Sequence, residues 1–148
     1  MNKVFIDLEG VLIDSWHTGN SIIEWTGEQI SSLCEQYSVT EADLFSFAVD
    51  NAADEQSVLG WLPQMFKCLG IELGKIHTVQ EIMDTVGFDD FMFVFKQKGK
   101  RRGFIEYVAN ICHLEEYEDV DNFVLLDDVV DDEVIDMGSY HITLRQIV

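Results

Sequence analysis

The chain has 148 residues, 47% of them apolar and 11% aromatic, and carries a formal net charge of −19. That length and apolar content suit one domain with a buried core, residues 1–148, and exclude a disordered chain. The charge repels any polyanion that approaches an arbitrary face. No apolar run approaches membrane-spanning length and Met1-Asn2-Lys3 leads into too short an apolar stretch for a leader, so a soluble, cytoplasmic protein with no membrane partner is expected. Cys34, Cys68 and Cys112, odd in number and far apart, read as small buried hydrophobes in a reducing compartment.

Lys3 to Asp7 reads as a strand, apolar without alternation, as in a parallel sheet covered on both faces. Ile23, Ile30, Leu33, Cys34 and Tyr37 follow helical spacing. Leu44 to Val49 is a second strand, ending on Asp50-Asn51. Val58 to Leu69 is helical, kinked or restarted at Pro63 and closed by Gly70. Lys75 to Val79 reads as a third strand and Gln80 to Val86 as a helix, while Phe91 to Phe95 fits either a strand or a buried helical turn. Phe104, Ile105, Val108, Ile111 and Cys112 make an amphipathic helix, Phe123 to Leu126 a buried strand ending on Asp127-Asp128, and Tyr140 to Leu144 a last strand. The acids from Asp131 to Asp136 read as a solvated helix start. Strands alternating with helices predict an α/β fold with a mainly parallel sheet between two helical layers.

In such a sheet ligands bind at the carboxyl ends of the strands, and two strands here end in acid pairs, Asp7/Glu9 and Asp127/Asp128. Carboxylates that converge on one point need a cation or a proton among them. An all-oxygen ligand set suits Mg²⁺, which prefers one or two carboxylates together with substrate phosphate. Five of the nine basic residues, Lys96, Lys98, Lys100, Arg101 and Arg102, fall within seven positions just before a helix. The four histidines show no metal-like spacing.

These residues carry a resemblance. Asp7-Leu8-Glu9-Gly10-Val11-Leu12 resembles the first motif of the haloacid dehalogenase-like (HAD) hydrolases, Asp-X-Asp-Gly-Thr/Val-Leu, with the Asp-X-Glu-Gly form that enolase-phosphatases carry. Val124-Leu125-Leu126-Asp127-Asp128 is similar to the family's fourth motif, and the basic segment stands where the family places its third-motif lysine. The resemblance implies a HAD-like, Rossmann-type three-layer fold, with no cap or a minimal one. It implies a phosphohydrolase in which Asp7 is the nucleophile that becomes an aspartyl-phosphate and Glu9 the general acid and base. Mg²⁺ would be held by Asp7, the Glu9 carbonyl and Asp127, with Asp128 or Asp131 in support. Lys100, or Lys98, would neutralise phosphoryl charge, with Gly10, Arg101 and Asn51 on the phosphate. Asn51 stands where the family has Ser or Thr; Ser46 and Thr78 are other candidates for that position. The expected substrate is a phosphorylated small molecule, such as a nucleotide, or a macromolecular phosphate end. The alternative is a catalytically silent relative whose acidity occupies a basic protein partner.

Overall fold

The structure, a computed structural model, describes residues 1–95 and 97–148. Of the basic cluster, Lys96 lies outside the described residues. Six strands form one sheet: β1 (Asn2–Ile6), β2 (Glu41–Phe45), β3 (Glu72–His77), β4 (Asn122–Asp127), β5 (Glu133–Asp136) and β6 (His141–Gln146), in the spatial order β3-β2-β1-β4-β6-β5. All neighbours are parallel except β5 and β6.

Val4–Ile6, Leu44–Phe45 and Phe123–Leu126 are apolar without alternation because each face of the sheet has its own core. Val4, Ile6, Leu44, Val124 and Leu126 pack on one side with α1 (Ile23–Gln36), α2 (Ala52–Leu59) and α3 (Leu62–Cys68). Phe5, Phe45, Phe123 and Leu125, their alternate neighbours, pack on the other side. There they meet α4 (Val79–Val86), a single π-helical turn at Phe91–Phe95 and α6 (Gly99–Ile111), with a short α5 (Phe88–Asp90) between α4 and that turn. Each large apolar side chain so buried contributes roughly 1.5–3 kcal/mol. No helix among the described residues is long and apolar enough to cross a membrane.

Several boundaries differ from the sequence reading. The second strand runs from Glu41 to Phe45 rather than from Leu44 to Val49, so it ends before Ser46 and not at Asp50. The apolar run continues past it because Val49 is also fully buried, in a loop. The Val58–Leu69 pattern divides into α2 and α3, with Pro63 in the first turn of α3, where its missing N–H costs nothing. Asp131 to Asp136 is not a helix start: Glu133–Asp136 is the short antiparallel edge strand β5, zipped onto β6, and Asp132 accepts the Gln146 amide at 2.7 Å. A short, acidic edge discourages pairing with other chains. Cys34 is buried, and burial pushes its thiol up to about 11, whereas Cys68 is exposed. Between β1 and α1 the described residues form a turn, and between β3 and α6 short helices.

One element of the fold is polar. Asp43, in the middle of β2, is 1% exposed and paired with Lys3 Nζ at 2.9 Å, while its second oxygen meets His77 Nε2 at 2.7 Å. His77 Nδ1 in turn meets the Tyr107 hydroxyl at 2.7 Å. Gly74 leaves the room, since a Cβ there would run into the Asp43 and Glu41 carboxylates.

Candidate active site

Strand order reverses direction between β1 and β4, the place where open parallel sheets leave a crevice. The register pairs Ile6 with Leu126, and the Asp7 amide donates to the Leu126 carbonyl at 3.0 Å. Asp7 and Asp127 therefore leave adjacent strand ends side by side. Carboxylate oxygens of Asp7, Asp127 and Asp128 lie within 4.8 Å of one another. Asp131 is exposed and stands outside this group, so of the two acids it is Asp128 that joins the cluster.

Lys100, in the first turn of α6, reaches into the group. Its ammonium is 2.9 Å from Asp7 Oδ1 and 3.4 Å from Asp127 Oδ2, and its side chain is 9% exposed. The ammonium also sits over the rings of Phe47 and Phe45, 4.5 and 5.3 Å from their centroids. Lys98 does not take part: it is exposed, with its ammonium 5.3 Å from the centre of the Phe93 ring. Lys98 is the residue that precedes α6, whereas Lys100 stands in its first turn, four positions before the buried Phe104.

Three carboxylates against one ammonium leave an excess of two negative charges when all are ionised. Burial raises the Asp7 carboxyl from 3.8 to about 6; Lys100 counteracts this and Asp127 adds to it. Burial and the Asp127 charge also raise Asp128. Asp127 Oδ1 accepts the Val129 amide at 2.8 Å, yet its fully buried Oδ2, 3.4 Å from the Lys100 ammonium, has no hydrogen-bond partner among the described residues. A buried, unsatisfied carboxylate oxygen is costly. An all-carboxylate donor set, two charges in excess and carrying such an oxygen, fits a hard divalent cation such as Mg²⁺.

Gly10 adopts φ +78°, a left-handed conformation, and a Cβ there would enter the Asp128 carboxylate. Gly10→Ala is therefore expected to displace Asp128 and to lower Mg²⁺ affinity at least about tenfold, the size typical for disturbing metal-site surroundings. Titration calorimetry reads this directly, and an unchanged affinity would remove Asp128 from the ligand set.

Glu9 points along the loop that follows β1, where its Oε2 accepts the Trp16 amide at 2.6 Å. The remaining predicted phosphate ligands are engaged elsewhere. Asn51 is the N-cap of α2, its side-chain oxygen taken by the Ala53 and Asp54 amides. Arg101 makes a two-pronged pair with Glu133, at 2.9 and 2.8 Å. Thr78 caps α4. Ser46 follows β2 directly and is 1% exposed, and its hydroxyl oxygen accepts the Ala48 amide at 3.1 Å. Because β2 is the parallel neighbour of β1, Ser46 stands at the strand end beside Asp7's own. The Phe45 and Phe47 rings under Lys100 went unseen in the sequence, where they read as strand core.

Against family models, curated proteins and solved structures, the chain finds no match.

Proposed function

We propose that the chain is a Mg²⁺-dependent phosphohydrolase that works through an aspartyl-phosphate on Asp7, as its resemblance to the HAD-like hydrolases implies. The observation that carries this reading is the convergence of Asp7, Asp127 and Asp128 within 4.8 Å, with the Lys100 ammonium on two of them, at the ends of adjacent strands.

An Asp7 carboxylate oxygen attacks phosphorus, the bond to the leaving oxygen breaks, and Glu9 gives that oxygen its proton. Glu9, now a carboxylate, then takes a proton from water; the hydroxide so formed attacks phosphorus, and the Asp7–phosphorus bond breaks to release phosphate. Lys100 stays as a fixed positive charge beside the phosphoryl oxygens, and Ser46 supplies a hydroxyl donor to them. Asp7, Asp127, Asp128 and the Glu9 carbonyl would hold Mg²⁺, which would supply the remaining positive charge for the phosphoryl group. The Trp16 amide holds the Glu9 side chain in one position, so the acid does not have to be ordered during the reaction.

The test is release of phosphate from 4-nitrophenyl phosphate. Turnover that requires Mg²⁺ and falls more than about a thousandfold in Asp7→Asn is expected, since a nucleophile is lost. Equal rates for Asp7→Asn and the unaltered chain would overturn the proposal.

A further inference from the structure

Next to the loop that holds Glu9 lies a pocket that the phosphate chemistry does not use. It has a volume of about 220 Å³ and is lined by Ile13, Trp16, Gly19, Ser57 and Trp61, where the loop after β1 meets the α2–α3 junction. Ile13 is buried, and Trp61 is half-buried with one side packed on the core. Trp16 is 36% exposed. Neither indole N–H nor the Ser57 hydroxyl has a partner among the described residues. The pocket thus offers aromatic faces together with free donors, in a space for one planar ring system and too small for a drug-sized ligand.

The loop that presents Trp16 is preorganised. Asp14 closes it by accepting the Ser15 and Asn20 amides at 2.7 and 2.9 Å and the Thr18 hydroxyl at 2.6 Å, and the Gly19 amide donates to the Ser15 carbonyl at 2.8 Å. Through the Trp16 amide the same loop is fastened to Glu9. The pocket therefore adjoins the acid of the proposed reaction, yet none of Asp7, Asp127 and Lys100 lines it.

We infer that this pocket receives the base of a nucleoside monophosphate whose phosphate reacts at Asp7, a reading that rests on the phosphohydrolase proposed above. An aryl phosphate carries its ring on the reacting oxygen and would leave the ring over Asp7. A ring that reaches past Glu9 needs a spacer, which a ribose provides. Indole stacking on a base contributes about 1–3 kcal/mol, and the free donors suit ring nitrogens and carbonyls at the base edge. A polynucleotide end is disfavoured, because each further phosphate meets a chain of net charge −19.

The test compares adenosine 5′-monophosphate with ribose 5-phosphate. The ratio of their kcat/KM values is expected to be roughly 5- to 150-fold, the stacking energy above expressed as a rate ratio. It should fall toward one in Trp61→Ala, and equally in Trp16→Ala, whose side chain lies on an exposed loop and whose loss does not disturb the core. Adenosine alone should quench tryptophan fluorescence in the unaltered chain and in Asp7→Asn, and much less in the tryptophan variants. Phosphate release at equal efficiency from both compounds, with no quenching by adenosine, would overturn the pocket assignment and leave the phosphohydrolase standing. Quenching by adenosine with no phosphate release from either would sustain the base pocket as a binding site and overturn the phosphohydrolase.

Discussion

Lys100→Met is expected to destabilise the protein by about 3–5 kcal/mol without added metal, the range for removing one partner of a buried ion pair, and to recover much of that loss in millimolar Mg²⁺. Methionine keeps the stem volume between Phe45 and Phe47, so the effect reports charge rather than a cavity. The lysine is the one cation in contact with Asp7 and Asp127 among the described residues, and without it three carboxylates are left facing one another. A divalent ion replaces the missing charge and stabilises by mass action.

The pH dependence separates this account from simple loss of packing. Asp7 takes up a proton at about pH 6 in the folded chain, against 3.8 for a free aspartate. Between those values the folded state binds more protons than the unfolded one, so this group's contribution to stability declines as pH rises from about 3.8 to about 6 and is level above. Lys100 holds the folded value down, and removing it extends the declining range upward. The deficit of Lys100→Met should accordingly be smallest in mild acid and greatest above neutrality. Urea titrations across that range decide the matter: a deficit that is independent of pH and indifferent to Mg²⁺ would refute an electrostatic role.

Much of this site was legible in the sequence because the residues obey simple constraints. A strand buried on both faces must be apolar throughout, so Val4 to Ile6 and Phe123 to Leu126 declared themselves, and the acids after them stood at the strand ends. What escaped was set by distant partners. Arg101 looked free until β5 brought Glu133 to it from 32 positions away. Asn51 looked like a strand-end donor, whereas an Asn with two amides following it is also an N-cap signal. The frame of β2 was misread because Asp43 stands mid-strand, a position that local pattern assigns to a break. Lys3 from β1 and, from β3, His77 and the Lys75 amide make a carboxylate tolerable there.

That buried aspartate leads to the second large effect. Asp43→Ala is expected to cost about 3–5 kcal/mol, because it strands the His77 ring nitrogen, the Lys75 amide at 3.0 Å and the Lys3 ammonium together. Tyr107 keeps its proton far into alkali, since burial raises its hydroxyl, and that hydroxyl is hydrogen-bonded to His77 Nδ1 while His77 Nε2 meets Asp43. Burial pushes the Asp43 carboxyl up, but the hydrogen bond and charge of His77, together with Lys3, outweigh it and hold it below 3.8. A depressed folded value contributes stability above 3.8 that is lost as pH falls through the folded value, so the two proteins should converge in strong acid. The relay also bears on the site: Tyr107 lies 5.5 Å from the Phe45 ring, which lies under the Lys100 ammonium. Tyr107→Phe, which removes only the hydroxyl, should then cost about 1–3 kcal/mol, and its loss should largely vanish when combined with Asp43→Ala. Fully additive losses in that double-mutant cycle would show that the three side chains act separately and not as one chain of hydrogen bonds.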